Sequence, residues 1–252
     1  GGEPLIRKNA HVLVRNLKNI PGLDELYLTT NGSQLTKYAK QLKDNGLDRI
    51  NVSLDTLDPA RFRELSRVGD LQQVLDGIQA ARQAGFQNIK LNSVILKSRN
   101  ADEIIPLTEF ALKNQLDISF IEAMPLGQID DHDRSEEFIS SDDIKQILQQ
   151  RWELKDSSYS TGGPSRYWHI EENQSSSSEQ QQSVSSSKIG FISPHTDNFC
   201  SSCNRVRVTA EGKLLLCLGN ENSVDLKEVI RRYPGEMDRL KQTIIDAIGH
   251  KP

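Results

Sequence analysis

The chain has 252 residues, of which 36% are hydrophobic, and this length suffices for one α/β barrel or for two ordinary domains. Its formal net charge is −4, so no general positive field draws it to nucleic acid or to an anionic membrane. No apolar run in the sequence approaches the roughly 20 residues that a membrane-spanning helix needs, and no segment of it has the pattern of a signal peptide. We therefore expect a cytoplasmic protein that binds neither nucleic acid nor membrane.

Short apolar strands alternate with amphipathic helices along the first two thirds of the sequence. The apolar periodicity predicts strands at 25–30, 48–54, 89–96 and 117–122. It predicts helices at 34–45, 59–66, 71–84 and 101–114. Strand–helix units repeated in this order predict a parallel sheet, either open and doubly wound or closed, wholly or in part, into a barrel. Periodicity alone does not choose between these architectures.

In both architectures, ligands bind at the carboxyl ends of the strands. Those ends carry polar segments in this sequence, namely 29–31 (TTN), 53–55 (SLD), 92–93 (NS) and 122–125 (EAMP). Considered singly, Thr29 and Ser53 are typical of strand-end capping. Lys90 is typical of a lysine whose stem lies along apolar surface, and Met124 of a core residue. The segments indicate a site only in combination with other features.

The pattern changes after Gly127, which places a domain boundary there, between a barrel of residues 1–127 and a C-terminal region of residues 128–252. The second part predicts strands at 152–154, 165–170 and 188–192. It predicts helices at 142–150, 224–232 and 235–248. Residues 171–187 (EENQSSSSEQQQSVSSS) are too polar to bury a core, and they predict a disordered surface loop.

The cysteines are Cys200, Cys203 and Cys217, in the pattern C-x2-C-x13-C. An odd number of clustered cysteines is not typical of a disulfide framework, and thiolates spaced in this way can bind one metal or cluster. A structural zinc would need a fourth ligand, which His195 could supply. An iron–sulfur cluster would keep one iron without a protein ligand and open to substrate. A chance disulfide beside one buried thiol is the third alternative.

The segment after the second cysteine continues as Asn204-Arg205-Val206-Arg207. Strand alternation would place Arg205 and Arg207 on one face. Two guanidinium groups beside a metal site suit a polyphosphate, because arginine forms bidentate bonds to phosphate oxygens. A strand with a solvated face is the alternative interpretation.

The first four residues, Gly1-Gly2-Glu3-Pro4, resemble the GGEP motif of radical S-adenosylmethionine (SAM) enzymes. Further motifs follow in the order typical of one family, at 29–32 (TTNG), 51–59 (NVSLDTLDP), 120–127 (FIEAMPLG) and 189–194 (IGFISP), ahead of the cysteine group. That family is the GTP 3′,8-cyclases (MoaA) of molybdenum cofactor biosynthesis. The resemblance extends over nearly the whole chain except the Ser/Gln-rich loop.

The resemblance implies an incomplete (β/α) TIM-like barrel of the radical SAM type and a smaller C-terminal region with a second cluster. It implies a lyase that converts GTP to 3′,8-cyclo-7,8-dihydro-GTP by SAM-derived radical chemistry, the first step of molybdopterin synthesis. Its SAM-binding residues would be Gly2, Ser53 and Met124. Its GTP-binding residues would be Thr29, Lys90, Arg205, Val206 and Arg207. Its ligands for a 4Fe-4S cluster with one open iron would be Cys200, Cys203 and Cys217.

The chain departs from this family in one respect that affects chemistry. The family binds its SAM-cleaving cluster through a C-x3-C-x2-C motif, which this sequence does not contain. We expect a sequence clipped at both ends, inactive by itself, and poorly soluble because its first strand would be an open sheet edge. The resemblance also implies functional coupling to the cyclic pyranopterin monophosphate synthase, and it leaves a homodimer open.

Two other functions fit parts of the pattern. A nucleotide-binding module with a structural zinc would keep the strand-end residues and arginines, and would assign His195 and the cysteines to zinc. Another radical SAM enzyme, such as a peptide modifier, would need more cysteines in its C-terminal region than this chain has. Metal content distinguishes the first of these from the cyclase.

Overall fold

The structure is a computed structural model that describes residues 2–124, 137–172, 187–197, 203–217 and 223–251. The chain divides into a larger unit, Glu3–Asn198, and a smaller unit that joins Gly1–Gly2 to Phe199–Pro252. Each unit has its own apolar core. The boundary predicted at Gly127, and residues 173–186 of the predicted loop, lie outside the described residues. The boundary and residues 173–186 of the loop therefore stay predictions. The predicted start of the loop is wrong, because Glu171 and Glu172 still pair with Glu153 and Trp152 in a strand.

The helices of the larger unit match the predicted periodicity, with one addition. Their bounds are α1 Ala10–Lys18, α2 Leu35–Asp44, α3 Pro59–Ser66, α4 Leu71–Gln83, α5 Ile104–Lys113 and α6 Ser141–Gln149. Side chains of Asp58 and Asp70 cap α3 and α4, which is why the sequence locates these starts well. Helix α1 was not predicted. Its cap residue, Asn9, has a left-handed φ of 59° and makes no side-chain capping bond.

Seven strands of the larger unit form one sheet within the described residues. They are β1 Tyr27–Thr30, β2 Arg49–Ser53, β3 Ile89–Ile95, β4 Asp117–Glu122, β5 Trp152–Asp156, β6 Arg166–Glu172 and β7 Lys188–Ile192. Their order is β1-β2-β3-β4-β7-β6-β5. Strands β1 to β4 and β7 are parallel, whereas β6 runs antiparallel to β7 and β5 antiparallel to β6.

Alternation along the strands gives the sheet an apolar face and a polar face. The apolar face packs with the helices into the main core, and includes Ile50, Val52, Leu91, Phe120 and Phe191. The opposite face, called here the polar face, carries Asn51, Lys90 and Ser119 at the alternating positions. A doubly wound sheet is covered by helices on both faces. The one-sided core therefore agrees with the predicted incomplete barrel.

Within residues 203–217 and 223–251, the smaller unit has a three-stranded antiparallel sheet and two helices. Its elements are β8 Arg207–Val208, β9 Lys213–Leu215, β10 Ser223–Asp225, α7 Leu226–Arg232 and α8 Met237–Gly249. The sheet order is β10-β9-β8, and the core residues are Leu214, Leu216, Leu226 and Ala247. Among the described residues, no helix combines the length and the apolar character needed to cross a membrane.

Candidate functional site

The polar face brings three of the predicted site residues together. In register across β1 to β4, one row of residues is Thr29, Asn51, Lys90 and Asp117. The next row, nearer the carboxyl ends, is Ser53, Asn92, Ser119, Gly190 and Tyr167. Because paired residues project to the same face, the predicted GTP-binding residues Thr29 and Lys90 lie one row from the predicted SAM-binding residue Ser53.

Lys90 is the central cation of this face. The residue is 7% exposed, and its Nζ donates a hydrogen bond of 3.4 Å to the hydroxyl of Tyr167. Asp117, its neighbour in register, pairs with Arg49 at 3.5 Å. Among the described residues, no carboxylate forms an ion pair with Lys90. Its charge therefore remains available to an anionic ligand.

Arg49 closes the polar face at the amino-terminal end of the strands. The residue is 4% exposed, and its guanidinium donates a hydrogen bond of 2.9 Å to the hydroxyl of Tyr159 and lies 5.4 Å from the ring centre of Tyr27. Burial alone would lower the pKa of Arg49, but the bond to Tyr159 and the charge of Asp117 raise it. Arg49 thus stays charged, and its guanidinium is already paired with Tyr159 and Asp117. The carboxyl ends of the strands therefore remain as the place where ligands can bind.

Two buried side-chain oxygens on the polar face have no hydrogen-bond partner among the described residues. They are the Oδ1 atoms of Asn51 and Asn92. A buried acceptor without a donor costs about 1–3 kcal/mol, so a ligand with hydroxyl or amine donors would be favoured here. The sequence gives neither asparagine a ligand, although Asn92 lies in the strand-end segment 92–93 and Asn51 in the motif at 51–59. Their signal was the alternation that places them beside Thr29, Ser53 and Lys90.

Glu3 connects the GGEP segment to the end of β1. Its carboxylate accepts hydrogen bonds of 2.7 Å from the Thr30 hydroxyl and 2.7 Å from the backbone N–H of Asn31, and one of 3.0 Å from the N–H of Leu5. Gly2, just before it, has a φ of +94°, which side chains disfavour. In the part of the chain that the structure describes, no atom would lie within 4 Å of a Cβ at Gly2. The backbone there is thus free for close approach by a ligand.

Glu122 organises the carboxyl end of β4, two residues before Met124. It is 1% exposed and accepts hydrogen bonds from the backbone N–H groups of Ser141, His195 and Thr196 and from the Thr196 hydroxyl, at 2.5 to 3.2 Å. Met124 itself is 38% exposed. The exposed thioether is therefore accessible to a ligand, while Glu122 fixes the strand end that carries it.

The described cysteines of the smaller unit, Cys203 and Cys217, are free and half-buried. Hydrogen bonding from the backbone N–H of Arg205, and then from its guanidinium, lowers the pKa of the Cys203 thiol. Since metals and clusters bind the thiolate, this environment fits a ligand cysteine. Cys200 lies outside the described residues, and those that are described contain no group of three metal-binding side chains.

The structure of residues 204–207, which contain Arg205 and Arg207, differs from the predicted strand. Strand β8 begins at Arg207, so strand alternation does not extend to Arg205. The physical reason is that the backbone N–H of Arg205 points to the Cys203 sulfur and is not free for a strand ladder. Val206 and Arg207 are exposed, and Arg205 is half-buried. His195 belongs to the larger unit, where its ring lies 5.4 Å from that of Phe138.

Comparison with known proteins identifies two matching families. The Radical SAM superfamily matches residues 1–111, and Molybdenum Cofactor Synthesis C matches residues 116–252. A GTP 3′,8-cyclase of Pseudomonas entomophila (strain L48) is 54% identical over 100% of this chain and 72% of its own length. A GTP 3′,8-cyclase of Saccharophagus degradans (strain 2-40) is 53% identical over the same shares.

Among solved structures, one described as TYW1 with a lysine-pyruvate adduct bound is similar with a TM-score of 0.44. It is 14% identical, and the match covers 63% of this chain and 51% of that one.

Proposed function

The chain belongs to the GTP 3′,8-cyclase family of radical SAM enzymes, and we propose that it binds GTP and SAM as the substrate-binding part of such an enzyme. The reaction converts GTP to 3′,8-cyclo-7,8-dihydro-GTP, the first step of molybdenum cofactor synthesis. The observation that carries the proposal is the register that places Thr29, Asn51 and Lys90 in one row on the polar face.

The charges and donors on this face suit the two ligands. A triphosphate carries several negative charges, and Lys90 is a buried cation without a carboxylate partner among the described residues. Thr29 offers an exposed hydroxyl in the same row, with Asn51 between it and Lys90. In the smaller unit, the proposed GTP-binding residues are Arg205, Val206 and Arg207, because two guanidinium groups suit phosphate oxygens.

For SAM, the proposed residues are Ser53, Met124 and Gly2. Ser53 presents an exposed hydroxyl in the same row as the unpaired Oδ1 of Asn92, which suits a ribose with two hydroxyls. Met124 offers an apolar surface for adenine, and Gly2 offers unobstructed backbone. When bound, SAM with a reducing 4Fe-4S cluster supplies the radical chemistry that joins C3′ of GTP to C8 of its guanine. The protein holds the reacting atoms in place and excludes water.

Cys200, Cys203 and Cys217 would hold a 4Fe-4S cluster, which would leave one iron open for the guanine. The lowered pKa of Cys203 and the free thiol of Cys217 support this. The chain contains no further cysteine and no C-x3-C-x2-C motif, so its own residues do not provide the ligands of the SAM-cleaving cluster. We therefore expect this chain alone to bind GTP without turnover.

The proposed activity implies a second enzyme that consumes the product. The cyclic nucleotide still has to be rearranged to a pyranopterin, and we assign this to the cyclic pyranopterin monophosphate synthase. We place residues 1–127 in the barrel and residues 128–252 in the region that carries the second cluster. A homodimer is compatible with this arrangement.

Metal analysis after anaerobic reconstitution tests the proposal. We expect about four irons and four sulfides per chain in the wild type, and loss of both in Cys217→Ala. His195→Ala is the matched control, because the cluster does not use this residue whereas the zinc alternative does. One zinc per chain without sulfide, with the zinc lost in His195→Ala, would contradict the proposed cyclase function. It would leave a nucleotide-binding module with a structural metal.

A further inference from the structure

Tyr167 reaches the polar face from the antiparallel side of the sheet. It lies on β6, and two strands, β7 and β4, separate it from Lys90 on β3. Neighbouring strands lie about 4.8 Å apart, so these two backbones are separated by up to about 14 Å across the sheet. The Tyr167 hydroxyl nevertheless accepts the 3.4 Å hydrogen bond from the Lys90 ammonium. Two long side chains therefore meet across the intervening strands.

Small residues on those strands make this meeting possible. Gly190 on β7 lies in register with both Tyr167 and Ser119. A Cβ at Gly190 would lie 3.0 Å from Cε1 of the Tyr167 ring and 2.6 Å from the Ser119 Oγ. The Ser119 Oγ is 2.9 Å from the Ser165 Oγ, so the two hydroxyls form a hydrogen bond with each other. The two serine hydroxyls and the edge of the phenol ring thus share the space that a glycine leaves.

The phenol ring is also fixed from its other side. Tyr167 is 2% exposed, and the ring of Tyr159 contacts it edge-on, with 5.1 Å between the ring centres. The Tyr159 hydroxyl accepts the 2.9 Å hydrogen bond from buried Arg49. Tyr167 therefore has little rotational freedom, and its hydroxyl presents a fixed acceptor to Lys90.

From this geometry we infer that Tyr167 is a positioning residue that preorders Lys90 for the phosphates of a nucleoside triphosphate. The inference rests on the proposed function, in which Lys90 binds GTP. A free lysine side chain loses roughly 1.5–2 kcal/mol of rotamer entropy when it is ordered. Lys90 is already held by the phenol, so phosphate binding meets less of this cost. Tyr167 would act through Lys90, which its hydroxyl contacts.

Calorimetric titration of the reconstituted chain with GTP and with guanosine tests this inference. The variants are Tyr167→Phe, Lys90→Met and the double variant. Tyr38→Phe is a matched control on α2, away from the polar face. We expect Tyr167→Phe to weaken GTP binding by about 3- to 10-fold. We expect guanosine binding to be unchanged in Tyr167→Phe, and Tyr38→Phe to match the wild type with both ligands.

The double variant separates positioning from a general structural role. If Tyr167 acts through Lys90, its replacement by Phe has no further effect on GTP affinity in the Lys90→Met background. Three results would each overturn the inference without contradicting the proposed GTP site. The first is an equal loss of GTP affinity from Tyr167→Phe in the wild-type and Lys90→Met backgrounds, and the second is an equal loss of affinity for GTP and for guanosine. The third is unchanged GTP affinity in Tyr167→Phe while Lys90→Met binds GTP more weakly. Wild-type affinity in Lys90→Met, or no GTP binding by the wild type, would instead overturn the proposed site. The inference would then fall with it.

Discussion

The carboxylate of Asp55 accepts a hydrogen bond of 2.8 Å from the backbone N–H of Val94, which joins the segment after β2 to β3. Asn100 secures the same junction, since its side-chain amide donates to the carbonyl oxygens of Asp55 and Val94. Burial raises the pKa of Asp55 to about 6, and the bond from Val94 offsets this only in part. Asp55 thus takes up a proton in the folded chain at a higher pH than in the unfolded chain.

This shift predicts that Asp55 lowers stability as the pH rises. Between about pH 4 and pH 6 the folded state holds more protons at this site than the unfolded state, so the free energy of unfolding decreases with pH. Asp55→Asn keeps an acceptor oxygen and removes the charge. We expect the variant to lose this decrease and to be more stable than the wild type by about 1–2 kcal/mol at pH 7.

Urea unfolding across this pH range measures the effect. Asp24→Asn, at an exposed position, is the control and should follow the wild type. If Asp55→Asn keeps the wild-type pH slope, the raised pKa does not act on stability and the prediction is wrong.

For Glu122 we expect stability to depend on pH in the opposite direction. Burial alone would raise the pKa of Glu122, but the bonds from Thr196, Ser141 and His195 more than offset burial and lower it. Its contribution to stability is therefore present above the pKa of the unfolded chain and is lost as the pH falls through the folded pKa. Glu122→Gln keeps the size but brings an amide donor towards backbone donors. We expect a loss of about 2–3 kcal/mol at pH 7.

The difference in unfolding free energy between Glu122→Gln and the wild type should decrease at acidic pH, because the wild-type carboxyl becomes protonated. Unfolding free energies at about pH 7 and at about pH 3 to 4 test this. Glu64→Gln, exposed on α3, is the control and should change stability by less than about 0.5 kcal/mol. A constant deficit at all pH values would show that packing, and not charge, explains the loss.

The helices and strands of the larger unit could be predicted because their signals are local. Helix α3 has its predicted bounds, Pro59–Ser66, since Asp58 caps it and Pro59 suits the first turn. Strand β4 likewise has its predicted bounds, Asp117–Glu122. Both depend on a few consecutive residues, and the sequence contains all of them.

The neighbours of the candidate site could not be predicted because they depend on strand order. The resemblance to the cyclase family indicated Thr29, Ser53 and Lys90. Tyr167 reaches Lys90 only because β7 pairs with β4 and β6 pairs with β7, after a chain excursion through α6 and β5. Nothing local in the sequence encodes that order.

Gly190 is the position where a single methyl group should disturb this arrangement. A Cβ there would overlap the Ser165 Oγ and would lie 2.6 Å from the Ser119 Oγ, so these hydroxyls would have to move. We expect Gly190→Ala to lower the free energy of unfolding by about 1–3 kcal/mol through overpacking. Because the Tyr167 ring would also shift, GTP affinity should fall by about the factor that Tyr167→Phe causes.

Gly163→Ala is the matched control for this substitution. Its Cβ would meet one atom within 4 Å, the Thr161 Oγ1 at 3.4 Å, which is ordinary contact. We therefore expect its unfolding free energy to stay within about 0.5 kcal/mol of the wild type and its GTP affinity to be unchanged. Urea unfolding of both variants measures the free energy of unfolding, and calorimetry measures their GTP affinity. If Gly190→Ala is as stable as Gly163→Ala, the ring and the two serines have room to adjust, and the space over β7 is not what brings Tyr167 to Lys90.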